Sequence, residues 1–223
     1  MKVALVHDYL IRFGGAERVF FNLRKLFPKA DVFTLLYNER KMGKYFPDNQ
    51  IRTSFLQSFP FSAKYHRLLA PLIPSAVETL DLRDYDLVIS SSSAFIKGLI
   101  LRPRTIHICY CHNPSRFLWD YAGQYETNFP SLKKILFHYL RLWDKSASGR
   151  VDYFIANSKT TAQRIRKYYG RESRVIYPPV NGFCHPEGEA RRIPSNNSDV
   201  GIPRDSEFIL SEAKDLLRMT KYL

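Results

Sequence analysis

His112 follows an apolar run, Thr105 to Cys111, and precedes Asn113-Pro114. A histidine just past the carboxyl end of a buried strand stands where open α/β sheets place ligand contacts. It could donate a hydrogen bond to a hydroxyl or help hold charge developing on a leaving group. The plainer reading is a loop histidine satisfied by backbone. Four residues on, Arg116 could neutralise an anion or pair with Asp120. Gly14-Gly15-Ala16-Glu17 lies between an apolar run and a helical pattern. Its amides could approach an anion closely at a helix N-terminus, which adds roughly half a positive charge. The alternative is a tight turn using glycine for positive φ. Neither G-x-G-x-x-G nor Gly-Lys-Ser/Thr is present, so the dinucleotide fingerprint and the P-loop are excluded. Asp8, beside His7, could touch a ligand or only stabilise its loop. Asn157-Ser158 reads as a helix cap, with a ligand contact as the other reading. Cys109, Cys111 and His112 suggest a metal, but a structural zinc takes four ligands and this segment offers three. No metal is expected, and strand alternation makes the two cysteines small buried residues on one face.

These residues need rigid elements behind them. Apolar runs short enough to be strands alternate with stretches of helical period, the pattern of a parallel sheet flanked by helices. Val3 to Val6 is uninterrupted and so reads as a strand buried on both faces. Val19, Phe20, Leu23, Leu26 and Phe27 repeat at helical spacing before Pro28 ends the pattern. Asp31 to Tyr37 is a second strand, completing a β-α-β unit. Asn38 to Leu82 is less regular, with Ile51 to Leu56 a candidate strand. Asp86 to Ile89 is a strand running into a loop of four serines, Ser90 to Ser93. Leu132, Ile135, Leu136, Tyr139, Leu142 and Trp143 give a long amphipathic helix. Tyr153 to Ala156 is a strand; a helix then starts at Ser158 or Lys159 and stops at Gly170. Arg174 to Tyr177 is the last strand, halted by Pro178-Pro179.

Composition sets the bounds. The 223 residues are 45% hydrophobic and 14% aromatic, enough to bury a core and far from the disordered regime. No apolar run approaches the ~18 residues of a membrane span. Only four apolar residues precede His7-Asp8, too few for a secretory signal, so a cytoplasmic chain with its three cysteines reduced is expected. The formal charge is +13, and residues 184–223, with six Lys+Arg and seven Asp+Glu, contribute none of it. Such a surface attracts nucleic acid, anionic lipid or phosphorylated small molecules. Basic and aromatic residues interleave at Lys133-Lys134, Arg141, Arg164, Arg166 to Tyr169 and Arg171. No RNP-like or GXXG signature accompanies them, so nucleic acid is not expected. A solvated helix face and a patch meeting an anionic bilayer both fit.

The segments VHDYLIRFGGAERV, CYCHNPSRFLWD, FIANSKTTAQRIRKYYG and VIYPPVN, in that order, resemble the N-terminal half of a glycosyltransferase family 4 enzyme, the bacterial mannosyltransferase-like members above all. The resemblance covers residues 1–183. It implies a GT-B fold, in which two Rossmann-like domains face across a cleft, the first binding acceptor and the second the nucleotide sugar. It further implies a retaining transfer from a donor such as GDP-mannose or a UDP-sugar, without metal or other cofactor. The product would be built on a saccharide or lipid-linked acceptor in surface-polysaccharide synthesis, with the enzyme peripheral at the inner face of the membrane. On this resemblance Gly14 and Gly15 match the donor-diphosphate loop and His112 the histidine near the transferred sugar. Asp8, Arg116, Asp120, Asn157 and Ser158 become candidate substrate contacts.

Residues 184–223 depart from that pattern, holding a polar stretch and a short amphipathic run through Ile209, Leu210, Ala213, Leu216 and Leu217. They read as an unrelated tail, as truncation or a frameshift would produce. A chain ending before its donor domain is expected to be inactive alone. The competing class is a non-catalytic Rossmann-like module holding a phosphorylated ligand or nucleic acid.

Overall fold

The computed structural model describes residues 1–47, 51–60, 62–120 and 130–179. The chain divides into two compact units, Met1–Ile176 and Tyr177–Leu223. Most of the second lies outside the described residues, and with it Cys184, the polar tail and the amphipathic run after Ile209.

The first unit is an α/β, Rossmann-like layer structure built on seven parallel strands. These are β1 (Val3–Leu10), β2 (Asp31–Tyr37), β3 (Ile51–Thr53), β4 (Leu87–Ser92), β5 (Ile106–Cys111), β6 (Tyr153–Ala156) and β7 (Arg174–Val175). Their order is β3-β2-β1-β4-β5-β6-β7. The chain thus winds outward from β1 in one direction and then, from β4, in the other, so the carboxyl ends of β1 and β4 flank the crevice where such sheets bind ligands. His7 pairs in register with Thr34 on β2 and Ser91 on β4.

Two strands run further than their apolar runs. β1 continues through His7 and Asp8 to Leu10, and β4 takes in Ser90, Ser91 and Ser92, all nearly inaccessible. The expected serine loop is therefore strand for three of its four residues. Polar side chains can be buried only where hydrogen bonds replace water: His7 shares the hydroxyl of Ser91, Ser90 meets His107, and Asp8 takes the amides of the loop after β4. At the far edge β7 is only two residues long.

Helix α1 (Gly15–Leu26) buries Val19, Phe20 and Leu23 against the sheet, each burial contributing about 1.5–3 kcal/mol. After β2 come the short helices α2 (Glu39–Met42), α3 (Ser62–Tyr65) and α4 (Ile73–Glu78), then α5 (Arg116–Trp119), α6 (Pro130–Ser148) and α7 (Lys159–Tyr169). Helix α7 is capped by Ser158, whose Oγ accepts from the Thr161 amide, and is ended by Gly170 at φ 69°, the left-handed conformation that glycine adopts at least cost.

Helix α6 turns only part of its expected apolar stripe inward, Leu136 and Trp143 packing against the core. Its core face is Leu140, Asp144 and Ala147, all at 0%, whereas Leu132, Ile135, Tyr139 and Leu142 are 50–68% exposed. Two apolar stripes with the same period share this helix, and periodicity cannot say which one packs inward. The packing is close: a Cβ at Gly98 would lie 2.5 Å from a ring carbon of Trp143. Only glycine lets the turn Ile96–Gly98 approach α6 this far.

Candidate functional site

The crevice beside β1 and β4 is lined from the sequence upward. Strand alternation sends His7 and Asp8 to opposite sides of β1, and they take up different tasks. Asp8, 1% exposed, accepts the amides of Ser93 (2.6 Å) and Ala94 (2.9 Å) on Oδ2 and those of Phe95 (2.9 Å) and Ile96 (2.8 Å) on Oδ1. Both oxygens are filled, so Asp8 holds the loop after β4 and is not placed to contact a substrate.

His7, also 1% exposed, lies under α1, stacked on Phe20 with ring centroids 4.8 Å apart. Its Nδ1 lies 3.1 Å from Ser91 Oγ, and its Nε2 lies 3.5 Å from Glu17 Oε1. The same Ser91 Oγ lies 2.9 Å from Nε2 of His112. Glu17, His7, Ser91 and His112 thus form one chain of polar contacts, running from the first turn of α1 across β1 and β4 to the end of β5. His112 donates its amide to Ser92 O at 2.8 Å and accepts from Thr161 Oγ1 at 3.2 Å on its carbonyl. Its backbone is therefore fixed between β4 and α7, as a loop histidine's would be, while the largely buried ring is held on one nitrogen only. Burial, then the neighbouring His7, pushes its pKa down to about 4, so the ring is neutral at physiological pH.

Gly14 is the N-cap of α1 at φ −144°, extended backbone that any residue adopts. The positive-φ turn is thus excluded: among the described glycines only Gly170 has positive φ. What Gly14 supplies is room, because a Cβ there would sit 2.9 Å from Glu17 Oε2. A Cβ at Gly15 would meet nothing within 4 Å. Burial raises the Glu17 pKa, but hydrogen bonds from His7 and from the amides of Glu17 and Gly14 outweigh it and hold the carboxyl below its ordinary value. The carboxylate closes over the Gly14 amide as in a capping box, while the amides of Gly15 and Ala16, in the first helical turn, have no intrahelical acceptor.

The remaining candidates gather along the next edge. Asp120 accepts from Tyr168 Oη at 2.7 Å and pairs with Arg164 at 3.4 Å and Arg116 at 3.9 Å. Arg116 and Asp120 thus form the ion pair that their spacing allows. Asn157 Oδ1 lies 3.2 Å from Ser158 Oγ, the α7 cap, and Thr161 links that cap to His112. Cys109 and Cys111 are buried free thiols, with Cys109 pushed up to about 12 by burial. Among the described residues no group of three or more His, Cys, Asp and Glu side chains is placed to hold a metal ion. Glu17, His7 and Ser91 were not singled out by sequence. The available signal was the polar pair His7-Asp8 interrupting an otherwise apolar strand.

The family model of Glycosyltransferase Family 4 matches residues 13–181, about three quarters of the chain. The chain belongs to glycosyltransferase family 4. The match takes in the glycine loop, the β5 end with His112 and the whole of α7. No curated protein matches this family 4 chain. Among solved structures it is similar to HepE of Anabaena, described in complex with UDP, at 16% identity and a TM-score of 0.46 over 81% of this chain and 45% of that one. It is also similar to the lipopolysaccharide outer core galactosyltransferase WaaB in its apo form, at 16% identity and a TM-score of 0.44 over 81% of this chain and 46% of that one. The chain thus spans less than half the length of each.

Proposed function

We propose that this chain is the acceptor-side, Rossmann-like domain of a GT-B glycosyltransferase that moves a hexosyl group, mannosyl being the first to test, from a nucleotide sugar with retention of configuration. The observation that carries the reading is the gathering of the Gly14–Glu17 helix start, His7, Ser91 and His112 around the carboxyl ends of β1 and β4 in a family 4 chain. The Gly15 and Ala16 amides would take up diphosphate charge, and His112 would contact the transferred sugar. The residues that hold the donor's base belong to the part of the family's length that this chain does not span. Arg116 and Asp120 border the acceptor side. No metal enters the scheme, since amides and basic side chains would supply the charge.

Titration of the full chain with UDP, GDP and inorganic pyrophosphate tests this. Weak binding that Gly15→Val removes without changing the melting temperature is expected, because a side chain at Gly15 meets open space. Undiminished binding by the folded variant would assign the glycines to the helix start alone. A GDP-mannose or UDP-sugar hydrolysis assay on the same samples separates a transferase domain from a purely binding module.

The acceptor is proposed to be saccharide or lipid-linked, reached at the inner, anionic face of a membrane in polysaccharide synthesis. Support comes from α6, whose exposed Leu132, Ile135, Tyr139 and Leu142 lie among the exposed Lys134 and Lys145. Each cation near an anionic surface contributes about 1 kcal/mol. No helix among the described residues is long and apolar enough to cross a membrane. Sedimentation with phosphatidylglycerol vesicles, but not with phosphatidylcholine vesicles, is the expected result.

A further inference from the structure

Ser91 Oγ is shared by two histidine rings, at 3.1 Å from His7 Nδ1 and 2.9 Å from His112 Nε2. A hydroxyl has one proton to give, so it donates to one ring and accepts from the other. The far end of the chain decides which. Glu17, held as a carboxylate, can only accept, and its Oε1 lies 3.5 Å from His7 Nε2. Its charge favours the His7 proton on Nε2, which leaves Nδ1 as an acceptor. Nδ1 then takes the Ser91 proton, and Ser91 accepts from His112. The proton of neutral His112 is therefore on Nε2. Its Nδ1 has no hydrogen-bond partner among the described residues and carries a bare lone pair.

We propose that Glu17, His7 and Ser91 are positioning residues that fix His112 as its Nε2–H tautomer, so that Nδ1 accepts a hydrogen bond from a substrate hydroxyl. The arrangement reverses the role first suggested for His112, that of a donor. It also gives Glu17 a task apart from helix capping, since the four groups come from α1, β1, β4 and the β5 end and packing alone does not require them to meet in one line. Groups around the ring from the other elements do not compete for the proton: Tyr110 meets it edge-on at 5.2 Å, and Asp8 is saturated by the loop amides.

The tautomer is a property of the chain alone, whereas the hydroxyl partner rests on the glycosyltransferase reading, and one experiment reads them apart. The full chain labelled with 15N-histidine is observed by long-range correlation of ring nitrogens with ring carbon-bound protons, His112 being assigned by its loss in His112→Gln. Without ligand, the expected spectrum shows a protonated Nε2 and an unprotonated Nδ1, with a bias of about tenfold or more, as a hydrogen-bond chain ending on a charged group would impose. Ser91→Ala should move both nitrogens toward the average of the two tautomers, and Glu17→Gln should move them the same way by less. A protonated Nδ1 in the unaltered chain overturns the proposal, as does an unchanged His112 tautomer in both variants. Adding methyl α-mannoside then tests the partner: a shift confined to Nδ1 supports the hydroxyl contact, and no shift at saturating sugar removes that clause while the tautomer stands.

Discussion

Around Asp144 every polar atom has a partner. Oδ1 takes Lys97 Nζ at 2.5 Å and Ser115 Oγ at 3.1 Å; Oδ2 takes Trp119 Nε1 and Tyr169 Oη at 2.8 Å each. The Lys97 ammonium also donates to Ala94 O, and although burial disfavours its charged form, Asp144 more than offsets this and raises its pKa. Around Ser91 the line of contacts opens at Glu17, where the spacing widens to 3.5 Å, and ends on a ring nitrogen of His112 that has no hydrogen-bond partner among the described residues. Both clusters are polar groups placed against the same sheet. The first is closed and ties α5, α6 and α7 to the turn after β4; the second keeps an unused valence at the crevice. Completeness of hydrogen bonding separates the scaffold from the site here more sharply than burial or charge does.

Breaking the closed cluster should have the largest effect. Asp144→Ala strands a buried ammonium and should destabilise the chain by about 3–5 kcal/mol in urea unfolding; a loss below about 1 kcal/mol would show that the cluster is not closed. The buried histidines come next. His107 is 1% exposed and burial pushes its pKa down to about 4. An unfolded chain takes up that proton near pH 6.5, so the stability from neutral His107 is fully present above about pH 6.5 and is lost as pH falls toward 4. His107 contributes a slope of about 1.4 kcal/mol per pH unit, and His112, pushed down to about 4 as well, contributes as much, so His107→Leu should roughly halve the slope of the unfolding profile in that window. Gly98→Ala, which drives a methyl against Trp143, should cost about 1–3 kcal/mol and sharpens the contrast by loosening α6 from the turn that carries Lys97. Ser91→Ala, in the open cluster, should cost only about 1 kcal/mol in thermal unfolding although it severs the line to His112. Leu142→Ser, on the outer stripe of α6, should change stability by no more than about 0.5 kcal/mol while lowering vesicle binding.

Much of the frame was legible. Asp31 to Tyr37 and Tyr153 to Ala156 are strands with the bounds their apolar runs suggest, and Ser158 and Gly170 begin and end α7 as capping chemistry requires. Local patterns carry those elements. His112 stands where a strand-end reading puts it. The polar half of the site was not legible, because its warrant is nonlocal: Asp8 belongs inside a strand only because amides 85–88 residues away fill its oxygens. Serines 90 to 92 read as a loop until His7, His107 and His112 arrive as partners for two of them. For α6 the pattern was seen and its orientation was not, since the residue that seats the helix, Asp144, is charged and leaves no trace in a hydrophobic period.

The interior position of β1 also bears on how the chain is made. β1 and β2 can associate once residue 37 has emerged, yet the other edge of β1 has no neighbour until β4, some 84 residues after it, is available. Every pairing in the sheet is parallel and needs a crossover, so sequence-distant contacts dominate and folding is expected to be slow. During synthesis an apolar strand edge with buried-type side chains is open to other chains. Closure by β4 ends this exposure and sets Ser91 beside His7, and the docking of β5 on β4 then brings His112 to the same hydroxyl, so the site is completed as the sheet centre is.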